Sequence, residues 1–327
     1  MSTGTPYPLK FHPIFKDRVW GGAMLKRLYG KLTPAGVPIG ESWEISDRPG
    51  DGSVIANGVH AGRDLRWLME NYGKELLGDR AVPGGRFPLL IKLLDAREKL
   101  SLQVHPPASK ASLLGGEPKT ELWYVAHADP GAELFVGLRL GVTREEFERR
   151  VGEATVADCF HRVPVQAGDA MFLPSGRVHA IGGGLVIFEI QQNSDTTYRV
   201  FDWNRVGLDG KPRTLHVRES LECINWTDFE PDLVPQSFSG SSELQRRVLV
   251  NDPLFEIEEL RLGLNAACKA PNGSAQVLGV VSGAIQIRFA AMTVVIEAGE
   301  FCLLPAAIKE AIILAEEPAI VLKAALP

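Results

Sequence analysis

Four side chains of the 327-residue sequence have metal-ligand chemistry at spacings that β-strands can use. In LSLQVH (100–105), Gln103 and His105 stand two residues apart, so both leave one face of a strand together with Ser101, while Leu102 and Val104 leave the other. Such a strand has one polar wall and one core wall. Glu121 opens the next apolar run, ELWYVAH (121–127), after an excursion containing Pro, Ala, Ser and Gly. Farther on, Gly168-x5-Pro174-x-Gly176-x2-His179 places Pro and Gly where they fix a tight turn and aim His179 back at the sheet. Two imidazoles, a carboxylate and an amide oxygen suit Zn²⁺, with Mn²⁺ or Fe²⁺ as alternatives, and a position left open for water or substrate would make the site catalytic. A single histidine in a β-protein is more often a hydrogen-bonded core or surface group. Four ligand types at strand-compatible positions, two of them on one face, reverse that expectation. His12, His60, His127, His161 and His216 lack such company and read as ordinary.

The elements that must position these residues are short strands. Apolar runs such as FPLLIKLL (87–94), AELFVGL (132–138), AMFLP (170–174) and LVIFEIQQ (185–192) are punctuated by turns drawn from 33 Gly and 22 Pro. QVLGVVSG (276–283), AIQIRFA (284–290), MTVVIEAG (292–299) and AIVLKAAL (319–326) continue the series toward the C-terminus. This pattern predicts an antiparallel sandwich or barrel. Helices are predicted over 64–77, over 143–151 with Thr143 and Glu146 at capping-box spacing, and near 108–114.

The chain also aligns with itself. AGDAMFLPSGRVHAI (167–181) lies over AGEFCLLPAAIKEAI (298–312) without a gap, Asp169 facing Glu300 and His179 facing Glu310. The reading is a duplicated β-domain: residues 1–232 carry the site and short helical segments, and 233–327 form a copy without ligands, its other ligand positions being apolar. The joint falls in the polar, Pro- and Ser-rich stretch 227–243.

Composition narrows the class. With 45% hydrophobic and 23% charged residues, a net charge of −5 and no basic stretch, the chain reads as a globular protein that binds neither nucleic acid nor membrane. The N-terminus shows no continuous apolar signal, and the four cysteines are widely separated with no CxxC pair, so a reducing cytoplasm is expected. No heptad or apolar stripe specifies assembly, and a monomer or weak homo-oligomer is expected.

The turn motif ending at His179 resembles the second cupin motif, with Gly183 where that motif usually closes on Asn. The first cupin motif normally reads His-x-His followed closely by Glu; here it reads Gln103-Val104-His105, with Glu121 displaced by an insertion. These departures resemble the type I mannose-6-phosphate isomerases (phosphomannose isomerases), especially their short bacterial branch. The blocks FPLLIKLLDAREKLSLQVHPP, PKTELWYV, PSGRVHAI, EIQQNSDTTYRVFDWNR and GESWEIS carry the likeness across roughly residues 8–226. It implies a mostly β fold of two cupin-type (jelly-roll) barrels, with a small helical portion inserted in the N-terminal part. It also implies interconversion of mannose 6-phosphate and fructose 6-phosphate with one zinc ion per chain.

Carried over by position, the resemblance makes Gln103, His105, Glu121 and His179 the metal ligands. It puts Ser101 and Lys119 at the substrate phosphate, Lys92 in the pocket, and Asp195 and Arg199 at the acid–base and catalytic-arginine positions. The residue types suit an aldose–ketose isomerase, which moves a proton between C1 and C2 and stabilises a cis-enediol(ate). Asp195, Lys92 and His105 are each candidates for the base. Taken alone, Arg199 reads as a salt-bridge partner of Asp202 or Asp195, Lys92 is costly to bury unpaired, and Trp20, Trp43 and Trp123 read as core. Glu41 reads as bracing near the site. A non-catalytic sugar-phosphate-binding cupin and a cupin iron oxygenase are the competing functions.

Overall fold

A computed structural model describes residues 7–80, 85–270 and 273–326. In chain order the strands are β1 (Ile14–Gly22), β2 (Ile39–Ile45), β3 (Asp47–Arg48), β4 (Asp51–Gly52), β5 (Leu89–Ala96), β6 (Leu102–Val104), β7 (Glu121–Ala128), β8 (Glu133–Leu138), β9 (Phe160–Pro164), β10 (Ala170–Leu173), β11 (His179–Ile181), β12 (Leu185–Gln192) and β13 (Tyr198–Phe201). They continue with β14 (Ser239–Gly240), β15 (Leu244–Asn251), β16 (Glu256–Leu262), β17 (Ala267–Lys269), β18 (Gln276–Ser282), β19 (Ala284–Phe289), β20 (Met292–Glu297), β21 (Phe301–Leu304), β22 (Ala311–Leu314) and β23 (Ala319–Ala325). Each apolar run named above is a strand. Others, among them β1, β15 and β16, mix charged with apolar residues (IFKDRVWGG, LQRRVLVN, EIEELRL) and do not read as apolar runs. Among the described residues five α-helices intervene: α1 (Met24–Tyr29), α2 (Leu65–Leu77), α3 (Ala108–Ala111), α4 (Arg144–Gly152) and α5 (Val217–Cys223). Among the described residues no helix is long and apolar enough to cross a membrane.

By compactness the chain divides into two units. The first holds residues 15–42 and 92–234; the second holds the described residues up to Ile14, those of 43–91 and those from Pro235 onward. The late joint lies inside the polar stretch 227–243, while the early segments group with the C-terminal strands.

The first unit is built on a sheet of order β1-β2-β5-β12-β7-β10 and a second of order β13-β6-β11-β8-β9. Its core is apolar and buried, with Trp20, Leu94, Trp123, Val136 and Ile187 in one cluster and Phe135, Phe147, Phe160 and Val200 in another. Thr143 caps α4 by accepting a hydrogen bond from the Glu146 amide at 3.2 Å. The reciprocal half of the box is absent from the hydrogen bonds: Glu146 instead takes Arg150 at 2.9 Å.

The second unit repeats this order. Its sheets run β14-β15-β16-β23-β18-β21 and β17-β22-β19-β20, strand for strand the counterparts of the first pair apart from β13. The turn before β10 and the turn before β21 each pass through a left-handed glycine, Gly168 (φ 93°) and Gly299 (φ 79°). Each is tied by the following acid, Asp169 accepting from the Gln166 amide and Glu300 from the Glu297 amide, both at 2.9 Å. Duplication therefore extends to hydrogen bonds. The pairing also corrects one expectation about the copy. Glu121 pairs with Leu173, and Gln276 pairs with the equivalent Leu304, so the carboxylate position of the copy holds a buried polar amide. The apolar part of that interior packs around Leu278, Ile285, Ile313 and Val321.

Replacing Thr143 with Ala removes the cap of α4 and is expected to lower stability by about 1 kcal/mol. The urea midpoint measures this, and metal content should not change.

Candidate metal centre and active-site cavity

In the first unit, β6 presents Gln103 between two neighbours: His179 of β11 pairs with it on one side and Arg199 of β13 on the other. The Gln-Val-His alternation behaves as the spacing requires, since Leu102 and Val104 are fully buried in the core behind it. Glu121 begins β7, which belongs to the other sheet.

Three of the four expected ligands converge. His105 Nε2 and His179 Nε2 lie 3.2 Å apart, and Glu121 Oε1 lies 3.6 Å from the first and 3.4 Å from the second. All three residues are buried. Each imidazole has its other nitrogen committed: His105 Nδ1 lies 2.8 Å from the Thr196 carbonyl and His179 Nδ1 2.9 Å from the Arg177 carbonyl. A carbonyl only accepts, so Nδ1 carries the proton and Nε2 of the neutral ring turns a lone pair inward. Glu121 Oε1 is buried without a hydrogen bond, while Oε2 faces the Lys119 ammonium. Three inward lone-pair groups at this separation repel one another unless a cation lies among them. Ligands about 2.1 Å from a tetrahedral ion sit about 3.4 Å apart, matching the observed 3.2–3.6 Å edges. The group fits a divalent ion. Gln103 closes on it as well, its Nε2 being 3.3 Å from His179 Nε2 and its Oε1 3.3 Å from the Ser101 hydroxyl. Rotation of the amide exchanges oxygen for nitrogen, so the side chain can offer an acceptor at the same place. The Trp123 ring meets the His179 ring edge to face at 5.2 Å and supplies an apolar backing.

Charge at the site is set by burial against neighbours. Burial, followed by the charge of Lys119, holds the His105 imidazole below its usual range; burial and His105 push His179 down to about 3. Burial disfavours an ionised Glu121, but the Lys119 ammonium outweighs it and holds the carboxyl well below the usual carboxylate range. Lys119 Nζ lies 2.8 Å from Glu121 Oε2, and this partner keeps the buried ammonium charged.

A cavity of about 490 Å³ opens onto this centre through Gln103. Lys92, Ser101, Lys119, Asp195 and Arg199 all line it. Lys92, in the middle of an apolar run, is 4% exposed and paired: its Nζ is 3.2 Å from Glu189 Oε2 and 3.9 Å from Glu41 Oε2. Arg18 Nε meets Glu41 Oε1 at 2.7 Å, and Trp123 Nε1 donates to Glu189 Oε1 at 3.0 Å. A row of alternating charge, Arg18–Glu41–Lys92–Glu189, thus crosses β1, β2, β5 and β12 in order and ends on Trp123 of β7. Arg199 is not in the salt bridge that its neighbours in sequence suggest. Asp202 is taken by Arg205 at 2.9 Å and Arg213 at 2.6 Å, and Arg199 Nε is buried without a hydrogen bond. Asp195 lies exposed at the cavity wall.

Sequence reasoning missed Glu189, Arg18 and Arg213. Glu189 carries the same signal as Lys92, an ionisable residue inside an apolar strand (LVIFEIQQ), and the two are partners. His216 is also less isolated than expected, since its backbone N–H donates to the Arg199 carbonyl at 2.8 Å and its Nδ1 accepts from the Arg199 amide at 3.4 Å.

Comparison with known proteins places these features. Residues 9–117 match the family model for the phosphomannose isomerase type I catalytic domain, a span that includes Gln103 and His105. The probable mannose-6-phosphate isomerase GmuF of Bacillus subtilis is 35% identical over 92% of this chain and 94% of its own. The mannose-6-phosphate isomerase of Streptococcus mutans is 34% identical over 92% of this chain and 93% of its own. Among solved structures, the mannose 6-phosphate isomerase from Bacillus subtilis superposes with a TM-score of 0.88 at 28% identity, covering 98% of this chain and 99% of that one.

The buried neutral imidazoles make a prediction for metal-stripped protein. Both rings resist protonation when folded but accept a proton near pH 6.5 when unfolded. Their contribution to stability is therefore present above about pH 6.5 and is lost as pH falls from there toward about 3, the value to which His179 is lowered. Urea unfolding of chelator-treated protein should show stability falling from pH 7 to pH 5, and added Zn²⁺ should raise the melting temperature more at pH 7 than at pH 5.

Proposed function

The chain belongs to the type I phosphomannose isomerases, and we propose that it works through the cavity just described, with Zn²⁺ held by Gln103, His105, Glu121 and His179. The enzyme is a metal-dependent aldose–ketose isomerase that interconverts mannose 6-phosphate and fructose 6-phosphate through a cis-enediol(ate). The observation that carries the site assignment is the buried contact of two Nε2 lone pairs with a carboxylate oxygen that has no hydrogen-bond donor, at the mouth of which Gln103 meets the cavity.

Once bound, a divalent ion supplies Lewis acidity to the sugar oxygens flanking the migrating proton. This chain's residues do the rest. Asp195, which has no ion pair among the described residues, is one of the carboxylates open to the cavity, with Asp17 and Asp209, and we assign it the transfer of the proton between C1 and C2. Arg199 also has no carboxylate partner among the described residues, so its guanidinium is available to the negative charge that develops in the enediolate. Lys92 is held by Glu189 and Glu41, and presents a fixed donor to a substrate hydroxyl. Ser101 and Lys119 complete the polar floor beside Gln103 and Glu121. Residues 1–232 would be the catalytic cupin and 233–327 its ligand-poor copy, acting in the cytoplasm on a small sugar phosphate as a monomer or weak homo-oligomer. The iron-oxygenase and non-catalytic readings are not favoured.

A coupled assay on mannose 6-phosphate with and without chelator, with elemental analysis of the same sample, tests this. Activity should vanish with the metal and return with Zn²⁺; full turnover in protein that stays metal-free would overturn it. His105→Gln should reduce both metal content and turnover. Asp195→Asn should lower kcat by about 10²–10⁴-fold with metal content unchanged.

A further inference from the structure

The hexose phosphate has two ends with opposite needs, and the cavity has two regions that meet them. If the reacting carbons lie at the metal end, the phosphate lies away from it by the length of the carbon chain. Lys119 is at the wrong end for that role: it is 4% exposed and spent on Glu121, 2.8 Å away. Ser101 donates to Gln103. Both groups belong with the reacting end.

Two other cations line the same cavity, Arg18 and Arg213. Each is oriented by a carboxylate that holds one edge of its guanidinium. Asp202, 5% exposed, accepts from Arg213 Nε and Nη2, both at 2.6 Å, while Glu41, 9% exposed, accepts from Arg18 Nε at 2.7 Å. Among the described residues the remaining donors of Arg213 have no partner; those of Arg18 meet only the Asp17 carbonyl at 3.0 Å. A guanidinium fixed along one edge and open along another is suited to a phosphate, which accepts forked N–H pairs. Both arginines also act on Arg199: burial, then Arg213, and more weakly Arg18, lower its pKa. Like charges gathered around one cavity are stabilised by an anion placed among them. The segment that brings Arg213 in is itself anchored, Arg205 Nη1 donating to the Lys99 carbonyl and Trp203 Nε1 to the Leu100 carbonyl, both at 2.6 Å. Trp203 and Asn204 adopt left-handed backbone (φ 58° and 54°), a strained arrangement that persists because these anchors hold it.

We propose that Arg213 and Arg18 form the subsite for the substrate's phosphate dianion, in place of Ser101 and Lys119, with Asp202 and Glu41 as the positioning residues. This rests on the isomerase reading above and specifies which end of the substrate faces the metal.

Arg213→Met is the variant that tests it, because Asp202 keeps Arg205 and the fold keeps its anchor. In zinc-loaded full-length protein, KM for mannose 6-phosphate should rise at least tenfold, with kcat within about threefold. Inorganic phosphate should bind the wild type by calorimetry, compete with substrate, and bind the variant at least tenfold more weakly. Arg213→Lys, which keeps charge but not the fork, should fall between the two. An unchanged KM, or unchanged phosphate binding, overturns the subsite, as does a loss confined to kcat. Should Arg213→Met lose its thermal transition, Arg213→Lys is read alone: a raised KM and weakened phosphate binding with kcat within about threefold support the subsite, and no change in either overturns it. A wild type without isomerase activity overturns the functional reading instead, while phosphate calorimetry still decides the subsite.

Discussion

Three lone-pair groups turned toward one another in a dry interior are the constraint on which the rest of the first unit depends. His105, His179 and Glu121 gain nothing from this contact by themselves. Their Nδ1 protons are committed to the Thr196 and Arg177 carbonyls, so neither ring can turn to share one. The backbone carbonyls thus choose the tautomer, and the tautomer dictates that a cation, not a proton, reconciles the group. Lys119 makes the arrangement tolerable beforehand by holding Glu121 ionised from the other oxygen. A metal site of this kind is preorganised by hydrogen bonds one layer out from the ligands, where ring orientation and basicity are set.

The same logic governs the cavity wall. Burying one charge is costly, while burying a row of alternating charges lets each member be solvated by its neighbours. Arg18, Glu41, Lys92 and Glu189 come from four adjacent strands and form such a row. The copy in the second unit keeps a trace of it: Lys323 pairs with Glu258, and Arg246 lies 3.8 Å from the same carboxylate. By register Lys323 occupies the position of Glu189, since the two face Leu278 and Trp123, themselves equivalent. The row survives duplication with a sign exchanged where the imidazoles do not survive at all. Charge alternation across strands serves the fold, and histidines at the turn serve only a ligand.

How far the sequence reveals this differs by residue. The Gln-Val-His strand is legible because alternation on one strand is a local property: Leu102 and Val104 behind Gln103 and His105 report which way the face points. The turn at His179 is legible for the same reason, its Gly and Pro acting within a few residues. Lys92 is half legible, an anomaly in an apolar run whose partner Glu189 lies 97 residues on in another such run. Arg18 and Arg213 are illegible, being ordinary residues in polar surroundings that enter the cavity only through long-range strand pairing, while Glu41 is legible only as a brace near the site, without its partners. The grouping of residues 43–91 with the C-terminal strands is hidden for a related cause, since compactness follows contacts far apart in sequence.

What sets Arg199 apart from the other cations of the cavity is compensation. Lys92, Lys119, Arg18 and Arg213 each meet a carboxylate, at 3.2, 2.8, 2.7 and 2.6 Å. Arg199 alone among the cavity's cations meets none among the described residues, and its charge is opposed by Arg213 and Arg18. A cation left in that condition in the folded protein costs stability, and the fold tolerates it only by holding Arg199 from both sides: β13 pairs it with Gln103, and His216 bonds its backbone amide and carbonyl. In the proposed mechanism the stability forgone at Arg199 is recovered when an anionic substrate or enediolate enters, which would tie the binding free energy of the sugar phosphate to the position of one guanidinium beside the Gln103 strand.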